Sequence, residues 1–487
     1  MRSFITWRPA LLLVAAGVLS LTACKKGTDV VTPAGSGTTS NDPAANKVVN
    51  DWILDNMRTY YYWNDQIPAN PDETLAPDSL FRSILYHRYV LSDPNRDRFS
   101  WIQPSASDLK SSLGGQTTTT GMEFRLYLRP NTTSDVVGSV LYVLPGSPAD
   151  KAGIKRGDIF YKVNGQRITT ANYADAVYGD GDTKTYTFAT VQNQTLVEAE
   201  NTKSVTATVF QENPILLDSV YTIGSKKIGY LVYNQFIPGA YNGSTGKTDN
   251  TYDQQLDNVF AQFKQQGVNE MVLDLRYNPG GYTSSSVNLA SLIGKNVTAN
   301  DLYFRQEWNA TLTPLLQKQY GSSFFTNNFV QKANNIGNNL TRLYVLTTHS
   351  TASASELIIN GLRPFMNVIT IGKTTYGKNV GSITITDDTG KIAWGMQPIV
   401  FKSYNKNNQS DYSTGFVPNK ELSEPLNPRQ LGDVNETYLS EAITEITGGT
   451  TGRLGIIGIT SPVVQSSVER KAGGGNMFVT LPKGALK

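Results

Sequence analysis

The chain has 487 residues, with 43 Lys plus Arg against 40 Asp plus Glu. Setting aside Met1 to Ala23, which holds Arg2 and Arg8, leaves a net charge of about +1, so nothing points to a nucleic-acid partner. A single cysteine, Cys24, excludes structural disulfides and leaves the body of the chain without a thiolate nucleophile. The length favours more than one domain.

Arg2 and Arg8 precede a short apolar run, Ala10 to Leu21, too short for an ordinary spanning helix. The run ends in Leu21-Thr22-Ala23-Cys24, which resembles a bacterial lipobox. The expectation is a signal peptide over residues 1–23 and a lipidated Cys24 as the first mature residue; the alternative is a chance thiol in a secretory signal. Lipidation implies a protein anchored to a membrane of the bacterial cell envelope, on the periplasmic side or at the outer membrane. Residues 24–46, rich in Gly, Ser, Thr, Pro and Ala, read as a flexible tether.

Residues 47–105 read as a helical domain. Val49, Trp52, Ile53, Met57 and Tyr60 fall on one helical face, and Asp78 can cap a second helix carrying Leu80, Phe81, Ile84 and Leu85. The cluster Tyr60-Tyr61-Tyr62-Trp63 reads as core packing rather than a ligand platform.

Residues 106–212 read as a β-rich module. At its centre Gly146-Ser147-Pro148-Ala149 opens a short helix, Gly153 stops it, and Gly157-Asp158 turns into the strand Ile159 to Val163 before Asn164-Gly165. This stretch resembles a PDZ domain. The resemblance implies a groove that takes an extended peptide as an added strand, with backbone N–H groups holding its C-terminal carboxylate. The carboxylate loop would be Gly121-Met122-Glu123-Phe124, where Glu123 departs from the usual small or apolar residue. A PDZ module with a purely structural role is the alternative.

Residues 213–445 alternate strands and helices. Lys227 to Tyr233 reads as a strand, Leu256, Val259, Phe260 and Phe263 have helical spacing, and Met271 to Arg276 is a buried strand running into Tyr277-Asn278-Pro279-Gly280-Gly281. Asp274 and Arg276 read as an architectural ion pair. The strand Leu343 to Leu346 leads into His349-Ser350-Thr351-Ala352-Ser353-Ala354-Ser355-Glu356, and a helix follows. Small neighbours let the backbone turn sharply at Ser353, and the helix start offers free N–H donors for an oxyanion. A serine needs a base. The chain has only His87 and His349, and His349 would have to double back to reach Ser353. Lys378, in the turn Tyr376-Gly377-Lys378-Asn379, can serve instead if burial lowers its pKa toward neutrality.

Thr351-Ala352-Ser353-Ala354-Ser355-Glu356, with Lys378 twenty-five residues after the nucleophile, resembles the C-terminal processing (tail-specific) peptidases. The resemblance implies Ser353 as nucleophile and Lys378 as base. The Asp274-Leu275-Arg276 to Gly280-Gly281 stretch also resembles that family; it implies an oxyanion hole from Gly281, or Gly280, with Ala354 as the partner. Many members carry a glutamine four residues after the lysine to orient it; here that position is Ser382. Beyond Gly415-Phe416-Val417-Pro418-Asn419, which resembles the end of the catalytic domain, residues 446–487 are Gly- and Thr-punctuated with no nameable chemistry, and Lys471 to Gly475 read as mobile.

The fold expected is α+β and multidomain: a helical segment, a PDZ-like module and an α/β crotonase-like peptidase core. The function expected is a serine endopeptidase cleaving protein substrates that present an exposed C-terminus, with no metal, since no His-Glu-x-x-His is present, and no cofactor. The alternatives are a catalytically silent envelope binding protein on the same scaffold, and hydrolysis of a non-peptide ester or lipid.

Overall fold

The computed structural model describes residues 43–449, 459–471 and 475–481. The expected signal peptide, the Cys24 lipidation and tether residues 24–42 lie outside the described residues. Residues 43–46, expected in the tether, belong to α1 (Pro43–Tyr60), which begins at a proline whose fixed φ and missing N–H suit the first helical turn.

The N-terminal helical segment has no core of its own. Ile53, Met57, Leu80 and Phe81, from α1 and α2 (Pro77–Ser83), are buried in the cluster that holds Leu231, Phe260, Leu357 and Phe401 of the peptidase core. Each such side chain contributes roughly 1.5–3 kcal/mol of burial. Tyr61, at the end of α1, donates to Asp97 at 2.7 Å, and Asp97 in turn accepts from the Phe99 and Ser100 N–H groups at 2.9 Å. The irregular chain from Asp97 to Ser100 is thereby pinned against the core.

The PDZ module is an antiparallel sheet of β1 (Met122–Leu128), β2 (Val136–Val143), β3 (Ile159–Val163), β4 (Thr183–Gln192) and β5 (Thr195–Thr206), with the helix α3 (Tyr173–Tyr178). Its own core holds Phe124, Val140, Phe160 and Tyr186.

The peptidase core is built on a six-stranded sheet. A hairpin of β6 (Ile215–Ile223) and β7 (Lys226–Tyr233) continues in parallel through β8 (Glu270–Asp274), β10 (Leu343–Thr347), β11 (Val368–Gly372) and β13 (Lys420–Glu421). The central strands β8 and β10 are buried throughout, as apolar parallel strands covered on both faces must be. Helices α4 (Thr251–Gln265), α5 (Thr283–Ile293) and α6 (Ala354–Leu362) cover one face, and α7 (Thr437–Thr447) the other.

Asp274 and Arg276 belong to a larger buried network that joins the PDZ module to the core. Arg276 donates to Asp274 at 2.8 Å, Glu436 at 2.7 Å and Glu424 at 3.1 Å; Arg156 of the PDZ module reaches Glu424 at 2.9 Å and Arg125 reaches it at 3.5 Å. Burial alone would raise the Glu424 pKa, but Arg156, Arg276 and Arg125 outweigh it and hold it down to about 2.

The C-terminal region is not a featureless extension. Residues 459–471 and 475–481 return to the body of the protein as two strands. β14 (Val463–Ser466) adds to the free edge of β1, and β15 (Met477–Phe478) lies between β9 (Gly281–Tyr282) and β12 (Val380–Ser382). Ala472 to Gly474 lie outside the described residues, but Lys471, read as part of a mobile stretch, is ion-paired to Glu212 at 2.6 Å.

Candidate active site

Two loops at the C-terminal ends of adjacent parallel strands build the site. After β8 the chain turns through Asn278-Pro279-Gly280-Gly281; after β10 it turns through Thr348 to Ser353. Asn278 ties them together. Its side chain donates to the Tyr233 carbonyl at 2.8 Å and accepts from Gly280 N–H at 2.9 Å. Its carbonyl accepts from Ala352 N–H at 3.1 Å and from Ser355 Oγ at 3.0 Å. Thr351 Oγ1 adds a bond to the Leu275 carbonyl at 2.8 Å.

Ser353 sits immediately before α6 at φ +63, ψ −113, a conformation that side chains with a Cβ rarely adopt. Holding it there costs roughly 1–3 kcal/mol, and the surrounding bonds must over-determine it. Its hydroxyl is fully buried and has no hydrogen-bond partner among the described residues. The Ala354 N–H beside it makes no hydrogen bond among the described residues.

Lys378 is also fully buried. Burial pushes its pKa down to about 7; Asp97 and Glu356 oppose the drop, and Arg98 adds to it. The ring of Phe99 lies 4.7 Å from its Nζ. The ammonium group thus has one apolar wall and no direct carboxylate bond.

Glu356 positions both residues. One carboxylate oxygen accepts from Ser353 N–H and Lys378 N–H, each at 2.8 Å; the other accepts from Gly377 N–H at 2.7 Å and Thr375 Oγ1 at 2.6 Å. Burial raises its pKa, against the pull of those four donors. The sequence carried a signal for it: Ser353-x-x-Glu356 is the capping-box spacing.

The expected oxyanion donors are placed unequally. Gly281, at φ +138, points its N–H at the Asn476 carbonyl oxygen at 2.5 Å, whereas the Gly280 N–H is spent on Asn278. A Cβ on Gly281 would sit 2.1 Å from the Phe236 carbonyl oxygen, so only glycine fits. Ser382 does not reach the lysine: its Oγ donates to the Met477 carbonyl at 3.3 Å. The Lys378 amine instead donates to Asn476 Oδ1 at 2.9 Å. His349 is exposed, its ring against Tyr376 at 5.1 Å, without a hydrogen bond to Ser353.

Arg98 closes the site from the N-terminal segment. It donates to the carbonyls of Tyr376, Gly377 and Ser413 at 3.0–3.2 Å, bracing the turn that carries Lys378. In the PDZ module, Glu123 and Phe124 contact Ser467 of the chain's own C-terminal region, while Gly121 N–H bonds Thr119 Oγ1 at 3.0 Å and Met122 N–H bonds Thr120 Oγ1 at 3.4 Å. The loop expected to hold a free carboxylate therefore has its amides occupied and a carboxylate of its own.

Residues 227–421 match the Peptidase family S41 model, residues 48–101 the Peptidase S41 N-terminal domain, and residues 139–187 a PDZ domain. A carboxyl-terminal-processing protease of Picosynechococcus sp. is 25% identical over 342 residues, 70% of this chain and 72% of the relative. One from Synechocystis sp. is 23% identical over 344 residues, 69% and 71% of the two chains. A solved structure from Bacteroides fragilis, described as a candidate S41 protease, superposes with a TM-score of 0.66 at 27% identity and covers 82% of this chain and 97% of its own.

Proposed function

We propose, for a chain that belongs to peptidase family S41 and carries a PDZ domain, that Ser353 is the nucleophile and Lys378 the general base. The protein is a serine-type peptidase homologous to the carboxyl-terminal-processing proteases, and the silent-scaffold alternative is not favoured. One observation carries the residue assignment. A strained, buried serine with an unpaired hydroxyl and a fully buried lysine whose pKa is pushed to about 7 are held by their backbone N–H groups on one Glu356 carboxylate oxygen. A structural lysine would be paired with a carboxylate or reach solvent.

In this reading Ser353 Oγ attacks the carbonyl carbon of a polypeptide substrate and neutral Lys378 takes its proton. Negative charge on the carbonyl oxygen is held by the N–H groups of Gly281 and Ala354. The lysine then protonates the leaving amine, and water hydrolyses the acyl-enzyme. Gly280 N–H is held by Asn278 within its own loop, whereas Gly281 N–H is held by the Asn476 carbonyl of the C-terminal segment, which a substrate carbonyl would replace. Glu356 fixes the serine and lysine backbones, Phe99 gives the lysine an apolar wall, and Arg98 braces its turn while its charge disfavours the ammonium. The N-terminal segment supports a location in the cell envelope, with Cys24 as the lipid-bearing residue.

The test is cleavage of an unfolded protein across pH 6 to 10 by wild type, Ser353→Ala and Lys378→Ala. Wild-type kcat/KM rises with pH and levels off above an inflection near the lysine pKa of about 7, and both variants lose at least about a hundredfold, as expected for a missing nucleophile or base. Full activity in Lys378→Ala would reject the dyad.

A further inference from the structure

The two catalytic side chains have no exposed surface. Part of what covers them, beside Phe99, is the chain's own C-terminal segment, and it binds as a ligand binds. β14 runs antiparallel to β1, pairing Val463 with Tyr127, Gln465 with Leu126 and Ser466 with Arg125. Ser467 continues the ladder: its N–H donates to the Phe124 carbonyl at 2.9 Å, and its Oγ accepts from Phe124 N–H at 2.8 Å and donates to Glu123. On the far side, Arg470 lies over the ring of Tyr178 in α3 at 4.0 Å. The segment thus lies between β1 and α3, where an added strand completes a PDZ sheet.

The contact that sets its chemistry is electrostatic. Glu123 and Glu212 are both buried, and among the described residues Lys471 is the cation that reaches them, at 3.8 and 2.6 Å, with a further bond to Tyr142 at 2.9 Å. Farther along, Asn476 puts its carbonyl on Gly281 N–H and its side chain on Lys378, and Met477 and Phe478 wedge between β9 and β12. A methyl placed on Gly280 would meet the Asn476 carbonyl oxygen at 2.4 Å and Ser353 Cβ at 2.8 Å, so this carbonyl sits beside the nucleophile.

We infer that residues 459–471 and 475–481 are an intramolecular ligand that fills the PDZ groove and the catalytic cleft together, and that the peptidase turns over a substrate only when an incoming polypeptide displaces them. The groove selects for an extended segment that brings a basic side chain to Glu123 and Glu212, the place Lys471 holds. This inference rests on the catalytic reading given under Proposed function.

Two variants of the full chain test it. Lys471→Glu puts a third carboxylate against two buried ones, and it touches none of the catalytic residues. It speeds cleavage of an unfolded protein by about tenfold or more, because breaking a buried pair is strongly unfavourable to the docked segment. Tyr127→Cys with Val463→Cys, in a Cys24→Ser background, places a disulfide across a paired position of the two strands, next to the one-residue shift between Val463 and Gln465. Oxidised, this variant loses cleavage; reduced, the same sample recovers the wild-type rate, which separates blockage from misfolding. Equal rates in the two redox states, or a Lys471→Glu variant that is folded and no faster, overturn the inference while leaving the dyad standing. No cleavage by any variant, with Ser353 unreactive to a fluorophosphonate in the reduced and Lys471→Glu proteins, overturns the catalytic reading and this inference with it.

Discussion

Replacing Lys378 by methionine removes the amine but keeps the length of the side chain, so stability reports directly on the buried charge. A fall from the ordinary 10.5 to about 7 makes the charged form roughly 5 kcal/mol less favourable in the fold than in water. Below pH 7 the lysine is protonated in both the folded and the unfolded chain, and the fold bears that whole cost. Between about 7 and 10.5 the unfolded chain holds the proton and the folded chain does not. Stability therefore rises with pH, by up to about 1.4 kcal/mol per pH unit from this group. Lys378→Met lacks this dependence. It is more stable than wild type at pH 6 by several kcal/mol, less about 1 kcal/mol for the lost bond to Asn476. From pH 7 to pH 9 that gap narrows by about 2.3 kcal/mol, the lysine being half titrated at pH 7. Urea unfolding of both proteins from pH 6 to 9.5, in a Ser353→Ala background that prevents self-digestion, measures it. A gap that stays constant over this range would refute a lysine that deprotonates near neutrality in the fold.

Two further predictions concern the residues around it. Ser353→Gly relieves the strain of φ +63 and raises stability by about 1 kcal/mol in thermal unfolding, while abolishing cleavage; a destabilised variant would mean that the serine is not strained. Glu356→Gln presents an NH2 to a pair of donors now held by a carboxylate oxygen, and costs about 3 kcal/mol of stability in urea unfolding together with most of kcat, KM changing little. Unchanged kcat would remove Glu356 from the positioning of the site.

Much of this was legible in the sequence where signals are local. β8 and β10 were recognisable because parallel strands covered on both faces are apolar without interruption. The Ser353 and Gly280-Gly281 turns were recognisable because sharp turns restrict the residues that fit. Lys378 stood out as a cation in a Gly-flanked turn. The rest depends on contacts between distant segments. Asp97, Arg98 and Phe99 sit in an irregular polar stretch, and only the packing of α1 and α2 on the core brings them to Lys378. Asn476 follows a run of glycines that reads as a loop. It reaches the site through strands of four and two residues, too short to show a side-chain period, held largely by backbone pairing that any sequence can make. The same limit explains Ser382: spacing alone could not show that its hydroxyl bonds the Met477 carbonyl while the lysine bonds Asn476.

In the proposed mechanism buried Lys378 activates Ser353. The most direct measurement is the rate of fluorophosphonate labelling as a function of pH, in the Lys471→Glu protein and in the same protein carrying Lys378→Ala, with the modified peptide identified by mass spectrometry. The expected result is a label on Ser353 alone, at a rate rising through an inflection near pH 7 and lost without the lysine. Labelling of Ser353 at the same rate and with the same pH profile in the absence of Lys378 would contradict it.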